Sequence, residues 1–242
     1  MDKEQSTLYI PHKREVTTAI MVDGGFYRKR AFYHWGDKDP KARADELFDF
    51  CMSLLRDKHE QRNLYRIFYY DCPPVSKMVY NTITKKSDNL EKSAEYTWTN
   101  KFFQELRHRR KMALRLGRLS DNALQYNLKY DSFKKLINGS ISLNELTQND
   151  IELNIEQKGV DMRIGIDISS LAIKRQVDQI ILISGDSDFV PAAKHARREG
   201  IDFILVPMGA TIKPDLHEHI DGMINRPTKL LYNSDDKEDK NT

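Results

Sequence analysis

Four nearly unbroken apolar runs constrain this chain most: VTTAIMVD (16–23), LYRIFYYD (64–71), DQIILIS (178–184) and IDFILVP (201–207). A strand with apolar residues at both parities has no face for water, so it belongs in a sheet covered on both sides. Each run stops at Asp, Gly or Pro, residues that leave a strand. MALRLGRL (112–119) alternates and makes a fifth strand. Helical segments fall between them, at about 42–59, 94–110, 160–174, 189–199 and 214–223. Strands alternating with helices predict an α/β fold, a three-layer sandwich around a mostly parallel five-stranded sheet.

The 242 residues are read as one domain over 15–228, between a polar arm (1–14) and a polar tail (229–242). Two stretches break the strand–helix rhythm and read as insertions, 75–93 and 120–157. No apolar run reaches the roughly 20 residues that span a bilayer, and the polar start lacks a secretory apolar core. Cys51 and Cys72 are too few for a disulfide framework or a zinc site. These features predict a cytoplasmic protein without a membrane partner. Sequence leaves monomer and homodimer both open.

In a parallel α/β sheet the usual ligand crevice lies at the carboxyl ends of the strands. Asp23, Asp71 and Asp186 each close a predicted strand there, and Asp188 opens the next helix. On a wheel of the helix in KGVDMRIGIDISSLAIK, Val160, Ile164, Ile168, Leu171 and Ala172 share one arc, with Asp161 inside it in the first turn. Asp167 falls at the border of that arc, further down the helix. Each acid alone has a plainer role as a turn residue or helix cap. Acids from separate segments gathered at one edge repel one another, however, and a divalent cation such as Mg²⁺ or Mn²⁺ removes that cost.

IMVDGGF (20–26), KGVDMRIGIDISSLA (158–172) and ILISGDSDFVPAAKHARREG (181–200) together resemble the NYN domain, a PIN-like nuclease fold, in its LabA-type group. YYDCPP (69–74) and LHEHIDGMI (216–224) add weaker likeness. The resemblance implies a sheet ordered 3-2-1-4-5 and an acidic pocket that binds Mg²⁺ or Mn²⁺ and hydrolyses phosphodiester bonds, usually of RNA. Asp23, Asp161, Asp186 and Asp188 would be catalytic and metal-binding, with Asp167 a further ligand. Asp71, Ser184 and Ser187 would support them. The insertions depart from the family pattern.

The net charge is only +3, but residues 101–118 carry seven Lys/Arg against the single acid Glu105. Such a segment is either a solvated helix face or a phosphate-binding surface. Arg107, Arg109, Arg110, Lys111 and Arg115 are therefore expected to hold a nucleic-acid backbone, with Arg28, Lys29 and Arg30 nearer the first acid. Phe26 and Tyr27 are candidates to stack on a base, although core packing suits Phe26 equally. His195 and His217 are read as helix-surface residues. Two rivals stand: a non-catalytic RNA-binding or regulatory protein of the same fold, and a phosphatase, for which no nucleophile is visible. RNA is favoured over DNA.

Overall fold

The computed structural model describes residues 13–120 and 124–225, so most of the expected arm and the whole expected tail lie outside it. The chain runs β1 (Arg14–Asp23), α1 (Gly24–Trp35), α2 (Pro40–Leu54), β2 (Glu60–Asp71), β3 (Met78–Asn81), β4 (Lys86–Asn89), α3 (Ala94–Arg107), β5 (Met112–Leu116) and β6 (Arg118–Leu119). It continues through β7 (Gln125–Leu128), α4 (Tyr130–Ile137), β8 (Ile151–Asn154), β9 (Gln157–Lys158), α5 (Val160–Ile173) and β10 (Gln179–Ile183). The last elements are α6 (Val190–Arg198), β11 (Asp202–Leu205), α7 (Pro214–Glu218) and β12 (Gly222–Met223).

One sheet carries β12, β11, β10, β1, β2 and β5 in that order, every neighbouring pair parallel. For the five expected strands this is the order 3-2-1-4-5. The sixth strand, β12, has two residues and is too short to show as a periodic run.

Alternate residues of each central strand feed two cores. Ala19, Met21, Phe68 and Leu182 pack under α5 and α6, while Ile20, Val22, Ile67 and Ile183 pack under α1, α2 and α3. Tyr69 and Phe102, 5.6 Å apart edge to face, tie the second core together. Both faces are dry, which is why the strand sequences lack a polar parity.

Helix α1 was not expected; Gly24-Gly25 reads as a turn. Its aromatic residues are split, with Tyr27 buried and Phe32 and Tyr33 exposed, so no single apolar stripe marks it. Asp23 caps the helix by accepting from the Phe26 N–H at 3.1 Å. A Cβ on Gly24 would stand 2.5 Å from the Tyr70 carbonyl oxygen and 2.7 Å from the Tyr69 ring. Glycine is there because the helix leaves the sheet against the next strand.

The two insertions join. β3 and β4 pair as a hairpin, and β7 pairs with β8, both antiparallel. Tyr126 donates to Asp88 at 3.0 Å, and buried Asn81 donates to Asp88 at 2.8 Å and to Gln148 at 3.3 Å. The expected 112–119 strand splits at Gly117, and β6 turns away to pair with β9. The insertions follow β2 and β5, so this lobe stands at the carboxyl edge of the sheet.

Gly24→Ala should destabilise the fold by about 1–3 kcal/mol through overpacking. Gly165→Ala, on α5 with open space at its Cβ, should stabilise by roughly 0.5–1 kcal/mol through helix propensity. Thermal unfolding of the two variants tests both; equal melting temperatures would refute the close-approach explanation.

Candidate active site

β1 ends at Asp23, and its neighbour β10 runs on into Ser184 and the Gly185–Asp186 turn. Buried Ser184 links the two: its hydroxyl donates to Asp23 at 3.1 Å and accepts from the Asp186 N–H at 3.3 Å. Asp186 in turn accepts from the Asp188 N–H at 3.0 Å, capping the short 3-10 turn Ser187–Phe189. A Cβ on Gly185 would lie 2.8 Å from the Phe26 ring, so Phe26 packs under this turn. Tyr27 is fully buried and bonded to Glu46 at 3.1 Å. Both aromatics are therefore engaged in packing rather than offered to a base.

Asp161 sits in the first turn of α5. Its side chain is exposed, yet partial desolvation raises its pKa, and the charges of Asp186 and Asp188 raise it further. Burial also raises the pKa of Asp23, opposed by its bonds to the Phe26 N–H and Ser184 and reinforced by Asp161 and Asp71. Four carboxylates from three parts of the chain thus feel one another, with Asp161 linking Asp23 to the 186–188 pair. Asp161 and Asp188 also line one groove of about 440 Å³ between α5 and α6.

Asp71 is buried and already matched. Arg28 reaches it at 3.2 Å, the Tyr69 hydroxyl donates at 3.1 Å and the Cys72 N–H at 2.8 Å. Burial raises its pKa, and Arg28 is the leading opposing influence. Asp167 is likewise engaged, accepting from the Tyr70 hydroxyl at 2.9 Å and from Arg115 at 3.1 Å.

The donor set is oxygen only and negative, which fits a hard divalent cation. Among the described residues, the one group of three donors lying mutually within 4.8 Å is elsewhere, the exposed Asp215 and Glu218 with half-buried His219, on α7 and its end. The sequence reading passed over that group. Asp23, Asp161, Asp186 and Asp188 do not form such a group.

The basic residues need correction. Arg107, Arg109, Arg110 and Lys111 precede β5, so they lie at the amino edge of the sheet, opposite the acids. Five residues of strand at about 3.3 Å each separate the two ends. Adjacency in sequence to a strand does not tell which end a residue occupies. Arg109 is also paired to Asp45, and Lys111 donates to the Leu64 carbonyl. At the acid edge Arg28 is held by Asp71, Arg115 by Asp167, and Arg30 by the Met208 carbonyl at 2.7 and 3.0 Å. Lys29 is exposed on α1. Lys213, not singled out from sequence, donates to Ser187 at 3.1 Å and brings a cation to the turn that carries Asp186 and Asp188. Its position in the loop after the fifth strand was the available signal.

A carboxyl-edge crevice lined by acids, on a sheet ordered 3-2-1-4-5 between two helical layers, defines a PIN-like α/β protein. The NYN domain family matches residues 18–225, and the chain belongs to that PIN-like nuclease family. A solved structure of a protein of unknown function from Vibrio parahaemolyticus is similar at 13% identity and a TM-score of 0.45, covering 89% of this chain and 95% of that one. Among curated proteins none matches. No helix among the described residues is long and apolar enough to cross a membrane.

Arg28→Ala should cost about 3 kcal/mol near pH 7, because it strands a buried carboxylate. A carboxyl whose folded pKa lies above its unfolded value favours the folded state below the unfolded value and loses that contribution as pH rises through the folded one. The deficit of the variant should therefore shrink toward pH 4. Denaturant titrations of both proteins at pH 7 and pH 4 check this; a deficit independent of pH would mean Asp71 is not its source.

Proposed function

We propose that the chain is a divalent-metal-dependent nuclease that hydrolyses phosphodiester bonds, single-stranded RNA ahead of DNA, in the cytoplasm. The observation that carries this reading is that strand polarity brings Asp23, Asp161, Asp186 and Asp188 to one sheet edge, with Ser184 bridging Asp23 and the Asp186 turn. Membership of the NYN family supports it. The domain reading that goes with it is a single NYN unit over 15–228, with its insertions.

Asp23, Asp161, Asp186 and Asp188 would hold the cation. A bound Mg²⁺ or Mn²⁺ lowers the pKa of a water and neutralises charge on a phosphate, so no Ser, Cys or His nucleophile is required. Ser184 keeps Asp23 and the Asp186 turn in register through its two hydrogen bonds. Lys213, steadied on Ser187, and Lys29 are the cations suited to steer a phosphate backbone to this edge. Asp167 and Asp71 act as supports, since each already has a cationic partner.

Labelled single-stranded RNA and DNA, incubated with Mn²⁺, Mg²⁺ or EDTA, test the reading. Cleavage should require the metal, and Asp186→Asn should lower it at least a hundredfold while leaving the melting temperature within a few degrees. Undiminished cleavage in EDTA or by the variant would remove the assignment. RNA binding with no cleavage under any metal would favour a binding protein of the same fold.

A further inference from the structure

Beside the acids, on the β2–β5 side, lies a cavity of about 60 Å³ that the proposed chemistry does not use. Arg28, Cys72 and Thr99 line it from the main fold, and Leu90, Leu153 and Ile155 from the lobe. The insertions therefore create it.

Arg28 is only half committed in this cavity. One terminal nitrogen reaches both oxygens of Asp71, at 3.2 and 3.3 Å, while Nε is buried with no hydrogen-bond partner. Leaving a buried N–H unmatched costs about 1–3 kcal/mol. Glu95, in the first turn of α3, lines the same cavity from its exposed rim and makes no hydrogen bond or ion pair among the described residues. Its charge is felt by both Arg28 and Asp71. Tyr96, Pro73 and Pro74 add flat surfaces.

The charges decide the ligand class. Arg28 faces two carboxylates, Asp71 and Glu95, so a phosphate or other anion is disfavoured. A neutral, planar group with an acceptor for Arg28 Nε and a donor for Glu95 completes the site. At roughly 10–15 Å³ per water in this measure, the cavity holds about four to six waters, room for one aromatic ring. We propose that the lobe forms a base pocket that takes one pyrimidine of the substrate strand, cytosine in preference to uracil. The exocyclic amine of cytosine donates to Glu95, the pairing carboxylates make with that base, and its carbonyl accepts from Arg28. Uracil would set a carbonyl against the carboxylate. Asp71 connects the pocket to the acids, since its charge reaches Asp23.

This assignment rests on the nuclease reading for its substrate, but its test does not need turnover. Full-length protein carrying Asp186→Asn is titrated with cytidine and with uridine, followed by saturation-transfer NMR. Cytidine should bind at least tenfold more tightly than uridine. Leu153→Trp, which fills the cavity, should abolish binding, and Glu95→Gln should weaken cytidine at least tenfold. No cytidine binding, or equal binding by both pocket variants, overturns the pocket. In oligouridine carrying a single cytidine, the otherwise unaltered protein should cleave beside the cytidine, and Glu95→Gln should lose that preference. Cleavage indifferent to base identity in both proteins overturns the pocket and leaves the nuclease reading standing. Cytidine binding without cleavage of any oligonucleotide supports the pocket and counts against the nuclease reading alone.

Discussion

The parallel pairing of β1 with β10 on one side and β2 on the other sets the frame for everything at the carboxyl edge. Because its partners are reached through helical crossovers, all of these strands run in one direction. All strand ends that matter are then brought to one side. Asp23, Asp71 and Ser184 end or follow three adjacent strands. The crossover into α5 starts at the same edge, which adds Asp161. A site made of residues far apart in sequence thus follows from strand polarity, with few specific contacts needed to assemble it.

That convergence carries an electrostatic cost, and the chain handles it unequally. Asp71, the most buried acid, is neutralised by Arg28 and satisfied by Tyr69 and Cys72. Asp167 is neutralised by Arg115. Asp161, Asp186 and Asp188 have no cationic partner among the described residues, and Asp23 is held only by a hydroxyl and a backbone N–H. Of the four acids without a matched cation, Asp161 and Asp188 line the groove between α5 and α6, whereas Asp71 and Asp167 each have an arginine partner. The distinction concerns chemistry as much as position, because an unmatched carboxylate remains available to an external cation.

The parts legible in sequence are those that burial writes directly. The apolar runs marked the strands, and the helical arc of Val160, Ile164, Ile168, Leu171 and Ala172 marked the buried face of α5. Helix α1 was hidden because its aromatics are shared between core and surface, and because two glycines at its start resemble a turn. The basic segment misled for a different reason: charge density is visible along a chain, but the end of the sheet it occupies depends on where the following strand begins. Lys213 was one lysine in a polar loop, marked only by that loop's place after the fifth strand. The lobe was unreadable because its short hairpins are held by side-chain hydrogen bonds such as Asn81–Asp88, which have no period.

Where the insertions leave the sheet also matters. Residues added after β2 and β5 emerge at the carboxyl edge, so they can rebuild the surroundings of the acids without touching either core. The lobe makes its own internal bonds and is pinned to the main fold by the β6–β9 pair. It supplies apolar wall to the cavity but none of the four unmatched acids. On the proposed reading, chemistry would fall to strand ends that the sheet fixes, and selectivity to loops that it leaves free. In such a division, variation within the lobe would alter which strand is accepted long before it altered the reaction.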